Sequence, residues 1–330
     1  MTTLQSASRP PHGPGAAPRP DPAPGPGSAA GPDSARGSVL EPGRRLSPSP
    51  QGDRSWRLLI TLLGAIVLLL LLLGLTAVSV SSWLTTRSFS EIPATTGLGT
   101  PSALELTNDL GDVHVLRSAD VDEVTLAFVE EGSTTLPADG ATAQASIDRT
   151  GGADAPSIAV RQPGGPAVIP WENDTRDLLL LVPNDLDLSL DLTSTVGDVD
   201  ATGSFSSLAV ASEVGDVRLA SVAAPGGLTV TSDVGDVEVE LEGPTPDAVE
   251  VTTSVGNADL LLPVDASGDV AVSSELGDVY LTAPGTTQWS VTASTELGER
   301  SVDPSFTART GDEVGTLTVT SELGNVTVSR

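Results

Sequence analysis

The chain has no cysteine, no lysine and only 3% aromatic residues among its 330 positions, with two histidines and a single tyrosine. Without cysteine there is no disulfide, no zinc–thiolate centre and no thiol nucleophile. With so few rings, a core must be built from Val, Leu and Ala, which predicts a thin and layered interior. Beyond the N-terminal tail the only histidine is His114. Its strand position predicts a solvated surface side chain, and no Ser-His-Asp set can be assembled around a singled-out partner. The chain also lacks a phosphate-binding Gly-Lys loop and a dinucleotide fingerprint.

Positive charge is scarce and unevenly placed. Residues 1–57 hold seven Arg and four acids (7 − 4 = +3), and the remainder holds nine Arg and 40 acids (9 − 40 = −31), giving the total of −28. So acidic a region repels nucleic-acid phosphates and anionic lipid head groups, which excludes both as partners of it.

What is present falls into segments. Residues 1–50 carry 12 Pro and seven Gly among Ala, Ser and Arg. Such a stretch cannot bury enough apolar surface to offset chain entropy, so 1–57 reads as a disordered tail with polyproline II character. The alternative is a docking segment for a proline-recognising domain. Residues 58–80 read "LLITLLGAIVLLLLLLGLTAVSV", with no charge between Arg57 and Arg87. About 23 residues at about 1.5 Å each span about 34 Å, enough for a hydrocarbon core of about 30 Å. Trp56 and Trp83 stand at its ends, where amphipathic rings prefer the interface. Residues 58–82 are therefore expected to form a transmembrane helix. Arg44, Arg45, Arg54 and Arg57 on the N-terminal side face only Arg87 on the other. The positive-inside bias then puts the N-terminus inside a cytoplasmic membrane and the C-terminal region outside. Cleavage after an "AVS" at Ala77–Ser79 is the competing reading, disfavoured by a long leader and a long apolar core. Residues 83–102, rich in Ser, Thr and Gly, read as a stalk.

From residue 103 onward one motif recurs: "NDLGDV", "STVGDV", "SEVGDV", "SDVGDV", "TSVGNA", "SELGDV", "TELGER" and "SELGNV". Its glycines are Gly111, Gly197, Gly215, Gly235, Gly256, Gly277, Gly298 and Gly324. From Gly197 the spacings are 18, 20, 21, 21, 21 and 26, so a short insertion falls near 303–312. Around each glycine apolar residues alternate with polar ones, the period of a half-buried strand. In "LAVASEVGDVRLA", Leu208, Val210, Ser212 and Val214 share one face, and Val217 and Leu219 resume it one residue out of phase. The Gly-Asp pair is thus a corner between two strands, with glycine supplying positive φ and Asp bonding nearby amides. The Ser/Thr column three before each glycine faces inward by parity. Units of 20–21 residues that cannot bury an apolar face alone can do so in a stack. The expected fold is all-β, a β-solenoid over 103–330, its rungs about 4.8 Å apart. An immunoglobulin-like sandwich is the lesser alternative. Residues 116–189 do not repeat and are expected to form wider early rungs or a cap.

Three features carry a resemblance: "LELTNDLGDVHVLRSADVDEVTLAF", then "LLLLVPNDLDLSLDLTSTVGDVDATG", then the repeated Ser-x-Val/Leu-Gly-Asp/Asn-Val rungs. In this order they resemble the bacterial adhesin-like β-solenoid family, the adhesin-head domains of undefined function. The resemblance covers about two-thirds of the chain. It implies a β-helical envelope domain without established enzymatic chemistry.

The candidate site is an acidic ladder. Asp198, Asp216, Asp236 and Asp278 occupy the corner column, and Glu213, Asp233, Glu275, Glu296 and Glu322 face outward beside it. Carboxylates stacked about 4.8 Å apart in water repel by about 0.9 kcal/mol per pair. Burying one Val per rung contributes about 1.5–3 kcal/mol, so packing tolerates the ladder. One reading is weak Ca²⁺ or Mg²⁺ binding by the four Asp residues. The other is that each Asp caps its own turn, since Asn257 and Asn325 fill the same column. No other cofactor is expected.

Function then reads as a membrane-anchored, non-catalytic interaction or scaffold module of the cell envelope. One alternative is an envelope-stress sensor coupled to the tail. Another is a carbohydrate-active β-helix enzyme using Trp171, Tyr280 or Trp289. The last rung, "TLTVTSELGNVTVSR", is expected to leave an open edge that meets a protein partner, a second copy or an earlier segment.

Overall fold

The computed structural model describes residues 89–164, 175–306 and 312–330, with Thr61, Leu63, Gly64, Val67 and Leu68 as isolated helical positions. The tail over 1–57, most of the apolar run 58–82 and Trp171 lie outside the described residues. Among the described residues no helix is long and apolar enough to cross a membrane. The chain divides into one unit over Met1–Ala65 and another over Ile66–Arg330, and every strand among the described residues belongs to the second.

Strands begin earlier than the stalk reading allowed. Residues 90–99 form β1 (Ser90–Pro93) and β2 (Thr95–Gly99), followed by β3 (Ala103–Asn108), β4 (Val113–Ser118) and β5 (Val124–Val129). Then come β6 (Thr142–Gly151), β7 (Pro156–Arg161) and β8 (Asp177–Pro183). β1 pairs antiparallel with β6, and β2 antiparallel with β5, which places Ala94 and Leu98 in the core. A Ser/Thr-rich composition concealed these two short strands.

The regular part follows as strand pairs joined at Gly-Asp corners. They are β9 (Ser189–Val196) with β10 (Val199–Ser204), β11 (Ser207–Val214) with β12 (Val217–Ala223), and β13 (Leu228–Val234) with β14 (Val237–Leu241). Next come β15 (Ala248–Val255) with β16 (Ala258–Leu261), and β17 (Gly268–Leu276) with β18 (Val279–Thr282). β19 (Gln288–Leu297) with β20 (Arg300–Val302) and β21 (Glu313–Leu323) with β22 (Val326–Ser329) complete the chain. The first strand of each pair joins one eleven-stranded sheet and the second joins another. Within this part pairing is parallel and in register: Val210 lies beside Val230 and Val217 beside Val237. The fold is all-β and solenoid-like, with Val, Leu and Ala filling a single long core between the two sheets.

The early motif stacks directly on the regular rungs. Asn108 lies beside Ser194 and Val113 beside Val199, although their glycines are 197 − 111 = 86 residues apart. The non-repeating segment caps this end with β5, β6, β7 and β8. "VTLAFV" and "DLLLLVP" are buried at every position, as expected of strands covered on both faces. Arg117 ties this end to the stack. Its guanidinium donates to the carbonyls of Pro183 (2.6 Å), Leu186 (2.7 Å) and Ser204, and lies 5.1 Å from the Phe205 ring centre. Burial holds the Arg117 pKa below its ordinary value, partly opposed by Asp187.

The far end corrects a second expectation. Both sheets run β17-β21-β19 and β18-β22-β20, so the last rung in sequence is inserted between the two before it. A 3-10 turn at Pro304–Phe306 follows β20. The physical reason lies in the side chains. Leu317, Val319, Val326 and Val328 of β21 and β22 are at most 1% exposed, as an interior rung requires. The β19/β20 rung has Ala293 and Arg300 where most other rungs have Val, so it suits an edge. There Trp289 and Phe306 close the core, and the Arg330 guanidinium lies 4.2 Å from the Phe306 ring centre. It also donates to the Gly285 carbonyl (2.8 Å) and the Ser305 hydroxyl (3.0 Å).

Candidate functional site

Each corner is built by three columns that bond between rungs. The glycine amide donates to the carbonyl one rung away, as Gly215 does to Val234 (3.0 Å) and Gly235 to Val255 (2.9 Å). These glycines have φ between 94° and 159°, and a Cβ on any of them would collide with a neighbouring backbone carbonyl. Two independent constraints, handedness and close approach, therefore demand glycine at every corner.

The inward Ser/Thr column is where parity placed it. Ser194, Ser212, Ser232, Thr253, Ser274 and Ser321 are buried, and Thr295 of the edge rung is half-buried. Ser274 donates to the Gly256 carbonyl (2.9 Å), Ser321 to Gly277 (2.9 Å) and Thr295 to Gly324 (2.8 Å). Asn108 fills this column at the early rung and donates to the Gly111 carbonyl at 2.6 Å. The Ser232 hydroxyl has no hydrogen-bond partner among the described residues.

The corner carboxylates do not cap their own turns. Each accepts the corner amide of the next rung: Asp198 from Asp216 (2.8 Å), Asp216 from Asp236 (2.9 Å), and Asp236 from Asn257 (2.7 Å). Asn257 accepts from Asp278, Asp278 from Asn325, and Asn325 from Glu299. At the early end Asp112 accepts from Asp198, and Asp177 from Asp112. One acceptor ladder thus runs along the whole stack. The Asn325 amide, with help from the Tyr280 hydroxyl, holds the Asp278 pKa below its ordinary value. Burial pushes Asp112 upward.

The cation reading meets this geometry directly. Asp198, Asp216, Asp236 and Asp278 lie in one line, each with an oxygen committed to a backbone amide. Among the described residues no group of three or more His, Asp or Glu side chains is placed to hold a metal ion. A shallow hollow of about 390 Å³ does gather Asp236, Glu238, Asp259 and Asp278 beside Tyr280. In it burial, and then the charge of Glu238, raise Asp259.

Other candidates fall apart spatially. Trp289 is 3% exposed and belongs to the core, whereas Tyr280 is on the surface and donates to Asp278 at 3.2 Å. They form no joint platform for a sugar ring. His114 faces outward but is not solvated. It is held between Asp200 (3.2 Å) and the buried Asp177 (3.7 Å), with 12% of its side chain exposed. Asp177 comes from the cap, 177 − 114 = 63 residues later, a proximity no local pattern could reveal.

Sequence reasoning also misplaced one column. Alternation puts Val214 inside, but Val214 is 48% exposed, and both Glu213 and Val214 before the corner glycine face solvent. The Ser212 side chain already fills the inside of the corner, leaving no room for the next apolar residue. Val196, Val214, Val234, Val255, Leu276, Leu323 and Leu297 therefore line up in register as an exposed apolar ridge.

Fold and surface together define a class of protein: a parallel, corner-built β-stack that presents ladders of side chains. Residues 187–329 match the family called Toastrack DUF4097, a span that takes in the regular rungs. The chain is also similar to two solved structures. One is a Clostridium sporogenes protein named for a proposed role in cell adhesion, 10% identical, covering 73% of this chain and 99% of its own, with a TM-score of 0.30. The other is a Bacteroides fragilis protein named as a proposed adhesin, 17% identical, covering 72% and 97%, with a TM-score of 0.43. Comparison with curated proteins finds no match.

Proposed function

We propose that the chain is a membrane-anchored, outward-facing interaction module of the bacterial cell envelope that performs no catalysis of its own. The observation that carries this reading is the use of the acidic groups. The corner carboxylates are spent on holding rung to rung, and what faces outward is a repeating surface. The apolar run 58–82 and its flanking arginines support the anchor and the orientation. In this reading a protein partner or second copy meets the β19/β20 rung and not the C-terminal rung, because β19 and β20 are the outermost strands of their sheets among the described residues. A cavity of about 760 Å³ opens there between Trp289, Val302 and Phe306.

The absence of cysteine makes the topology directly testable. S8C and T229C variants are expressed separately and treated on intact cells with a membrane-impermeant maleimide. Labelling of T229C on intact cells, and of S8C only after lysis, is expected. The reverse pattern overturns the orientation. Crosslinking through S294C on the edge strand, and not through S329C, is expected to capture the partner.

A further inference from the structure

The apolar ridge contributes nothing to the core, because its side chains point away from it and the Ser/Thr column already seals each corner from within. Soluble surfaces seldom display apolar side chains in one unbroken row unless something binds them. Here seven successive rungs do so, from Val196 to Leu297, with exposures of 42–68%. At about 4.8 Å per rung the row is about 29 Å long.

Its setting restricts what can cover it. One side is bordered by Glu213, Asp233 and Glu275, the other by Asp216, Asp236 and Asp278. A second copy would bring the same carboxylates against these, and an anionic bilayer would be repelled. The backbone restricts it further. The corner glycine amides already donate to carbonyls of the next rung and the corner Asp amides to carboxylates of the previous one, so neither is available to an added strand. The partner must satisfy its own backbone, which leaves a helix. Helical turns repeat every 5.4 Å or so, close to the rung spacing, and about 19 residues span the row.

We propose that this ridge is a docking surface for a basic amphipathic helix of another protein, its apolar stripe on the Val/Leu row and Arg or Lys on both flanks. The proposal deepens the interaction-module reading and fails separately from it. A wrong orientation shows in the labelling of intact cells, whereas a wrong ridge shows in binding by the purified chain.

The test uses the full chain in a neutral detergent and a labelled Leu/Arg peptide of about 19 residues with its leucines in one helical stripe. Controls are a scrambled peptide of the same composition and a Leu/Glu stripe peptide. Binding of the Leu/Arg stripe is expected, with the V214T/V234T/V255T/L276T variant weaker by roughly tenfold or more. These positions are about half exposed, so the variant keeps the wild-type melting temperature. The E213Q/E275Q/E322Q variant, which leaves the ridge intact, is expected to bind more weakly and with a shallower salt dependence. Equal binding by wild type and ridge variant, equal binding of striped and scrambled peptides, no binding at all, or self-association lost in the ridge variant would each overturn the proposal.

Discussion

The regular rungs and the cap that precedes them solve one problem by opposite means. In the rungs each backbone corner is held by its neighbour through a repeated set of Gly, Asp and Ser contacts, and small side chains suffice. In the cap nothing repeats. Antiparallel strands, Phe128 and a wall of leucines in β8 do the packing, and single groups such as Asp177 and Arg117 bind several segments at once. A repeat spreads its stability over many equivalent contacts, whereas the cap concentrates it in a few.

This contrast is sharpest at glycine. G235A places a Cβ against the Gly215 carbonyl at φ 148° and is expected to cost about 3 kcal/mol or more, read as a lower urea midpoint. G132A in the cap, at φ 68° with open space around it, is expected to cost about 1 kcal/mol. Equal losses would mean that rung spacing is looser than the close carbonyl approach implies.

Carboxylates give the next largest difference, with the order reversed. Asp177 is buried and accepts the amides of Asp112 (3.2 Å) and Gly132 (2.6 Å), so D177A is expected to lose about 3 kcal/mol. D216A orphans one exposed amide and should lose about 1.5 kcal/mol, while D216N, keeping an acceptor, stays within about 0.5 kcal/mol of wild type. A D216N loss as large as that of D216A would show that charge, and not the acceptor, maintains the ladder.

Within the Ser/Thr column the effect is smaller and position-specific. S274A removes a 2.9 Å bond and is expected to cost about 1 kcal/mol. S232A removes a buried hydroxyl with no partner among the described residues, so its melting temperature should equal or exceed that of wild type.

Acid titration separates the two ends most finely. Asp278 lies below the ordinary value of 3.8, chiefly through the Asn325 amide. Its contribution is complete above that value and is lost as pH falls through the folded one. Asp112 is raised, chiefly by burial, so ionising it opposes folding as pH rises through its folded value. D278N should flatten the acid limb of the stability curve, and D112N should raise stability at neutral pH.

Much of the rung was legible because its physics is local. Glycine spacing located the corners, and parity located the Ser/Thr column and the Val column of each second strand. Errors arose where the outcome depends on neighbours. Val214 follows the alternation on paper, yet Ser212 has already filled the corner. The Asp side chains reach the next rung, a contact invisible within one unit. The order of the last two rungs is written in Ala293 and Arg300, which fit an edge better than an interior, and it departs from sequence order. The acidic candidates stand in one line, each accepting an amide of a neighbouring rung, and the setting of His114 was beyond reach because Asp177 comes from the cap.

That reordering decides which edge is open, and paired cysteine substitutions in this cysteine-free chain test it most directly. Leu276 lies in register with Leu323, and Leu297 lies beyond Leu323 on the same row. Adjacent rungs are about 4.8 Å apart and alternate ones about 9.6 Å, while a disulfide needs Cα atoms roughly 4.4–6.8 Å apart. L276C/L323C should close a disulfide under mild oxidation and L276C/L297C should stay reduced. A disulfide in L276C/L297C and none in L276C/L323C would return the rungs to sequence order and the open edge to the C-terminus.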